Sequence, residues 1–419
     1  MDPDSGTDET GDVHLSGGEI AAVGKYAGGA AEAEEIDGTG SWLFPGLVDM
    51  HVHLREPGGE ESETVETGLR AAVAGGITTV GVMPNTLPPM DSVESVVRLM
   101  ETAGGLGLAR VVPVPCVTRG RLGKELLDLS SFADRGIRAF SDDGDPVHDP
   151  AVLLDALNTV AEFGGVIIQH PEEKDLSGGA VNLGETSRGL NVPGIPEEAE
   201  TVDVVRCLEI ARASGGRLHL THLSLPRSVQ LARSDLFRPA GVSIDVTPHH
   251  LALDETALLE HGTMAKMNPP LRTGERRRRL AQMVRDGMVD AVASDHAPHS
   301  YAGKNLPLDR AAFGITGLET LLPITLEVLG ELGMPPLDVL RLLTSGPAEV
   351  LGVPRPSLTP GRPAECVLFD PEEEYTLAEK GTFSRSSNTP FLERRLTGRV
   401  KAVWMGRLIY RDGEFVQSR

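Results

Sequence analysis

Along the chain, short runs of Val, Ile, Leu and Ala alternate with longer stretches in which apolar residues recur every three or four positions. The short runs read as buried strands and the longer stretches as amphipathic helices. Eight strands are predicted in this way: Leu47 to His53, Ile77 to Met83, Ala109 to Val117, Ile137 to Phe140, Val166 to Gln169, Arg217 to Thr221, Val242 to Val246 and Val289 to Ala293. Between them, Ser62 to Ala74 carries Val65, Leu69 and Val73 at helical spacing, and Glu197 to Ala213 repeats the pattern behind Pro196, a residue suited to a first helical turn. Eight such units predict an α/β fold, a TIM-like (β/α)8 barrel on a parallel sheet. Outside the barrel, Asp12 to Gly24 reads as a hairpin around Gly17-Gly18, and residues 364–416 give further strands with turns at Met405-Gly406 and Asp412-Gly413. The two chain ends are expected to form one small β-module, with residues 1–44 and 346–419 as its parts and 45–345 as the barrel.

Composition narrows the function. The 419 residues are 40% hydrophobic, enough for one large barrel and an accessory module, and only 4% aromatic, which argues against stacking platforms for bases or sugars. A formal net charge of −22 argues against nucleic acid and anionic membranes as partners. An anionic substrate then needs local attraction. Cys116, Cys207 and Cys366 are widely spaced, so neither a disulfide framework nor a thiolate metal site is expected, and a reducing cytoplasm is the natural compartment. The basic run Arg276 to Arg279 follows Glu275 and precedes Leu280, and reads as a solvated helix face.

Chemistry gathers at the strand ends, where a barrel builds its active site. In order they deliver His51 and His53, Asn85, Cys116 and Thr118, Asp142 and Asp143, His170, His222, His249 and His250, and Asp295. Alternate side chains of a strand share a face, so His51, His53 and Arg55 are expected to project together, two imidazoles beside a guanidinium fork suited to a carboxylate. Neutral imidazoles and carboxylates suit Zn²⁺ or a similar ion, and the set exceeds what one tetrahedral site needs. Two ions sharing a carboxylate would use it in full, with Asp295 placed to shuttle a proton to a leaving nitrogen. The other histidines receive quieter readings: His14, His148 and His261 as surface or capping residues, His219 packed behind its strand, His249 and His250 supporting the site, and His296 structural. His299, on the loop after Asp295, can face a ligand.

Three segments resemble signatures of dihydroorotases of the amidohydrolase superfamily: Pro45 to Gly58, Met83-Pro84-Asn85-Thr86 and Ser294-Asp295-His296-Ala297-Pro298-His299. Phe140 to Gly144, Lys266 to Arg272 and Phe313 to Glu319 are similar to the long, bacterial-type branch, and the likeness runs from about residue 10 to the C-terminus. The resemblance implies one or two Zn²⁺ per subunit, two being the expectation. His51, His53 and Asp295 would hold one, His170 and His222 the other, and Asp143 would bridge. It also implies that His53, Arg55, Asn85, Asn268, His299 and the backbone at Phe313 and Gly314 bind the substrate, and that Asp295 is catalytic. The reaction implied closes N-carbamoyl-L-aspartate to L-dihydroorotate in de novo pyrimidine synthesis, reversibly. A homo-oligomer, such as a dimer, and association with aspartate carbamoyltransferase are implied as partners.

Related hydantoinases, dihydropyrimidinases and allantoinases bridge their metals with a carboxylated lysine, and the end of strand four here has none. That absence, with Arg55, disfavours those activities. A scaffold-only relative that binds aspartate carbamoyltransferase would be expected to have lost ligands, and none of the six is missing. Two features depart from the family pattern. The chain opens on Asp-Pro-Asp-Ser-Gly after Met1 where an apolar strand is usual, so the expectation is either a β-module without its first strand or a misplaced start, and Pro171-Glu172-Glu173 follows His170 where Cys-Glu-Asp is common.

Overall fold

The computed structural model describes residues 1–25, 33–237 and 241–416. Eight parallel strands form the barrel: Leu47–Val52, Ile77–Val82, Arg110–Pro113, Ala139–Phe140, Val166–Gln169, Arg217–Leu220, Ser243–Val246 and Ala291–Val292. The first three pair in sequence, and so do the last five. A bridge between Val52 and His296 joins strand eight to strand one, and the Ser141 amide donates to Pro115 at 2.9 Å across strands three and four. Several strands are shorter than the apolar pattern predicts. Strand three stops at Pro113: Val114 makes one last bond to Val82, Pro115 has no amide hydrogen, and the Cys116 and Val117 amides turn to the loops, onto Met90 and Asp142.

Alternation sorts each strand into an outer face under the helices and an inner face. Val48, Met50, Met83, Val114, Ala139, Val166, Ile168, Ala291 and Ala293 pack into one apolar interior layer, closed below by Ala348, Val350 and Leu351 of the helix Ser345–Leu351. Phe140, Ile167, Leu218, Leu220, Ile244 and Val246 belong to the larger cluster shared with the helices. Strand one changes parity part-way. Asp49 pairs with Val80 but Val52 with Val82, so three steps on one strand face two on its neighbour. Such a bulge re-aims the residues beyond it, and it lets Val48 and Met50 fill the interior while His51 and His53 turn to the barrel axis above them.

The helix Val65–Ala74 starts one turn later than Ser62, because Thr64 caps it: its hydroxyl accepts from the Thr67 amide at 3.1 Å and its amide donates to the Thr67 hydroxyl at 3.1 Å. The helix Glu198–Ala213 likewise begins just past Pro196. On the helix Gly274–Arg285 the basic run divides its work. Arg276 pairs with Glu197 at 3.0 Å, Arg277 turns onto the Leu251 carbonyl, and Arg278 and Arg279 line an open surface cavity of about 670 Å³ with Arg227.

The termini meet in an antiparallel sheet of five strands, Glu414–Phe415, Leu408–Arg411, Arg395–Met405, Glu365–Thr376 and Trp42–Pro45 in spatial order. The chain passes from this sheet into the barrel at Gly46. The hairpin of Asp12–Ser16 and Glu19–Gly24 turns through Gly17 and Gly18, both at positive φ, and Ile20 exchanges bonds with Gly361 and Arg362. At the acidic start, Asp2 is buried and accepts from Ser357 and Leu358, so this segment docks through a carboxylate where an apolar strand is absent. Among the described residues, no helix is long and apolar enough to cross a membrane.

Candidate metal centre

At the C-terminal mouth of the barrel the strand ends converge on Asp143. Its Oδ2 lies 3.3 Å from His51 Nε2 and 3.5 Å from His53 Nε2, and its Oδ1 lies 3.6 Å from His222 Nε2 and 3.9 Å from His170 Nδ1. Two sets of donor atoms result, each compact enough for one cation: His51, His53 and Asp143, and Asp143, His170 and His222. Asp295 Oδ1 adjoins the first set, 3.3 Å from His53 Nε2 and 3.6 Å from His51 Nε2. Alternation explains the place of Asp143. With Phe140 on the helices, Ala139, Ser141 and Asp143 share the inner face, whereas Asp142 turns outward and accepts from the amides of Val117 and Thr118 and from the Thr118 hydroxyl.

The hydrogen bonds around the imidazoles fix which nitrogen faces the centre. His53 Nδ1 donates to Asn85 Oδ1 at 2.7 Å, leaving Nε2 as a lone pair. His51 Nδ1 meets the Thr221 hydroxyl at 2.9 Å, which donates to Asp245 at 2.8 Å. The same carboxylate takes His219 Nε2 at 2.8 Å and the His222 amide at 2.7 Å, and His219 Nδ1 meets Ser243 at 2.8 Å. His219 therefore lies inside the barrel, where the alternation of Leu218 and Leu220 sends it; the expectation that it packs behind the strand is corrected. His222 has the opposite parity and enters the site through a left-handed turn, φ +41°. Glu172 answers the unusual Pro-Glu-Glu sequence: it lies 3.5 Å from His170 Nε2, accepts from Asn268 at 2.8 Å and pairs with Lys174 at 2.6 Å.

The donor set calls for positive charge. Burial lowers His51, but Asp143 and Asp295 outweigh it and push this imidazole up to about 10. Burial would raise Asp143 and Asp295, yet the surrounding histidines hold both carboxyls well below the usual range. His51 Nε2 and Asp143 Oδ1 are buried and make no hydrogen bond, an arrangement that is costly unless a cation takes both. The residues fit one or two divalent ions.

Beside this centre, Arg55 departs from strand geometry at φ +60° and donates from Nε to the Pro298 carbonyl at 3.1 Å. It reaches the site by a turn and not by simple alternation. Its terminal nitrogen approaches His299 Nε2 at 3.4 Å, but that nitrogen donates to the Phe313 carbonyl at 2.6 Å, so the approach is packing between a guanidinium and a neutral ring. Burial and Arg55 push His299 down to about 3, consistent with neutrality. Gly314 has both peptide groups engaged within the protein. His249 and His250 are buried; His250 bonds Thr247 and Pro269, whereas His249 Nε2 has no partner. His296 bonds Glu63 at 3.1 Å.

Sequence reasoning missed Thr221, Asp245, Glu172 and Asn388. An aspartate inside the buried run Ser-Ile-Asp-Val was a readable signal for Asp245; nothing in the sequence marked Asn388, which acts from the β-module. Arg121 was also missed, and it bonds the Asp142 carbonyl and Asp145 beside Gly144.

A Dihydro-orotase-like family model matches residues 40–228, and an Amidohydrolase family model matches residues 207–413. The chain is 42% identical to a dihydroorotase of Anaplasma phagocytophilum, over 98% of this chain and 93% of the relative. It is 40% identical to one of Syntrophotalea carbinolica, over 98% and 97%, and 37% identical to one of Aquifex aeolicus, over 98% and 97%. Among solved structures, the L-hydantoinase of Arthrobacter aurescens aligns with a TM-score of 0.86 at 22% identity, over 97% of this chain and 93% of that one. The dihydropyrimidinase of Brevibacillus agri aligns at 0.83 and 23%, over 96% and 92%. The structural likenesses establish a shared fold, whereas identity of 42% over almost the whole length places the chain in the dihydroorotase family of amidohydrolases.

Proposed function

We propose that this chain is a zinc-dependent dihydroorotase that interconverts N-carbamoyl-L-aspartate and L-dihydroorotate in pyrimidine synthesis. The observation that carries the reading is Asp143, standing between two histidine sets at the end of a lysine-free strand. In this reading His51, His53 and Asp295 would hold one ion and His170 and His222 the other, with Asp143 offering a carboxylate oxygen to each set. Such ions would polarise the scissile amide and make water acidic enough to react near neutrality.

The protein's own groups do the remaining work. Arg55 receives the substrate carboxylate through its terminal amino groups, since Nε is bound to Pro298. Asn85, its oxygen fixed by His53, has its amide nitrogen to offer the same carboxylate. Asn268 and His299 flank the ring, with Phe313 and Gly314 forming the wall. In hydrolysis the Asp295 carboxylate, held ionised, accepts the proton of the attacking water and passes it to the departing ring nitrogen. Ring closure reverses the transfer. The proposal includes a homo-oligomer, checked by light scattering, and association with aspartate carbamoyltransferase, checked by co-elution of the purified pair.

The deciding experiment offers zinc-loaded protein dihydroorotate, dihydrouracil, hydantoin and allantoin in parallel. Turnover of dihydroorotate is expected; turnover of dihydrouracil without it refutes the reading.

A further inference from the structure

Two buried side chains that touch no reacting group converge on one carbonyl in the wall of the pocket. Lys304 is 0% exposed and donates its ammonium to the carbonyls of Lys266 at 3.0 Å, Ala312 at 2.9 Å and Gly314 at 2.7 Å. Asn388, from the β-module side of the chain, donates its amide to the Gly314 carbonyl at 3.0 Å and to the Ala297 carbonyl at 3.1 Å. Its own Oδ1 accepts from the His299 amide at 2.9 Å, and its backbone carbonyl from Thr316.

The segment they grip is under constraint. Gly314 sits at φ +125°, and a Cβ there would come 2.5 Å from the Ala297 Cβ and 3.2 Å from His299 Nε2. Its amide donates to the Lys266 carbonyl at 3.0 Å, and the Lys266 ammonium lies 4.0 Å over the Phe313 ring while donating to Ala311. His299, which rests against Arg55, donates to Phe313 one residue away. Burial and the neighbouring Lys266 push Lys304 down to about 7, and a lysine with three carbonyl acceptors and no carboxylate partner among the described residues is placed to hold backbone.

We propose that Lys304 and Asn388 are positioning residues that set the Phe313–Gly314 wall and His299 against Arg55, so that substrate affinity depends on a residue of the β-module. The inference rests on the pocket proposed above. Because both donors share the Gly314 oxygen, their effects are coupled. Loss of either lets the wall and the His299 ring drift, and the carboxylate end of the substrate loses its fit while the metal centre stays intact.

The test compares Lys304→Met, Asn388→Ala and Asn388→Asp with the unmodified enzyme. Asn388→Asp keeps the acceptor for His299, replaces the donors to Ala297 and Gly314 with an oxygen, and adds a buried charge. Each variant is expected to raise the KM for dihydroorotate about tenfold with zinc content unchanged, the size of one or two buried hydrogen bonds. The Lys304→Met/Asn388→Ala pair is expected to fall short of the product of the single effects. A lowered kcat at unchanged KM, the mark of a smaller active fraction, overturns the proposal. Hydrogen exchange at the Gly314 amide gives a reading independent of activity and is expected to quicken at least tenfold. Should Lys304→Met not fold, Asn388→Asp decides alone. If the unmodified protein does not turn over dihydroorotate, the functional reading falls separately, and unchanged exchange at Gly314 then overturns the positioning role.

Discussion

Three site residues hold a backbone that non-glycine residues seldom adopt: Arg55 at φ +60°, His222 at +41° and Asp295 at +47°. Each stands where a strand has just ended and the side chain must still point into the barrel while the chain leaves it. Their identities were legible in the sequence, but this conformation was not, because it belongs to the turn and not to the residue. Asp295→Ala should lower turnover by about 10²–10⁴ as a lost proton shuttle. Metal analysis should find the ions retained by the other ligands, and retained activity would remove Asp295 from that role. Arg55→Met should raise the KM for dihydroorotate steeply, which steady-state kinetics would check; an unchanged KM contradicts a carboxylate contact. Asp245 touches no substrate but orders Thr221, His219 and the His222 amide around the ligands. Asp245→Asn is expected to weaken zinc about 10–100-fold in competition with a chelator, and equal affinity would show that the relay is incidental.

At the scale of elements, the apolar runs located all eight strands because buried parallel strands read as continuous Val, Ile, Leu and Ala. Their ends were less legible. Val114 to Val117 is as apolar as a strand, yet only Val114 still donates to strand two, Pro115 has no amide hydrogen to give, and loop acceptors claim the Cys116 and Val117 amides. The bulge in strand one was hidden for a related reason: it is a matter of register with strand two, which lies outside the segment that contains it. The start of helix Val65–Ala74 joins the barrel to the β-module through Glu63, which is fully buried. Glu63 accepts from His296 at 3.1 Å, the Arg385 amide at 3.0 Å, and the Ser384 and Thr67 hydroxyls. Glu63→Gln puts an amide NH₂ among donors and should cost about 1–3 kcal/mol in chemical denaturation, with faster proteolysis near residue 385. An unchanged midpoint would mean that the clasp is redundant.

The whole molecule keeps several histidines neutral in its interior. Burial pushes His249 to about 4, His299 to about 3, and His250 well below 6.5, the value each would have unfolded. Between those folded values and 6.5 the unfolded chain binds more protons at these three positions, so the stability they contribute is complete above about pH 6.5 and declines as pH falls toward 3. His250→Gln should flatten the fall of Tm between pH 6.5 and 4, because metal release is common to both proteins; a parallel fall would contradict the assignment. What the sequence determined by itself was the barrel and the chemical inventory, since burial pattern and side-chain type are local properties that survive without a partner strand. The tertiary structure alone decided how that inventory is aimed. It turned Asp143 into the barrel and Asp142 onto the Val117 and Thr118 amides, drew His219 into a relay beneath the candidate metal centre, and brought Asn388 from the far end of the chain onto His299 and Gly314. Each of these depends on which surface a segment meets, and that is settled only when distant segments pack together.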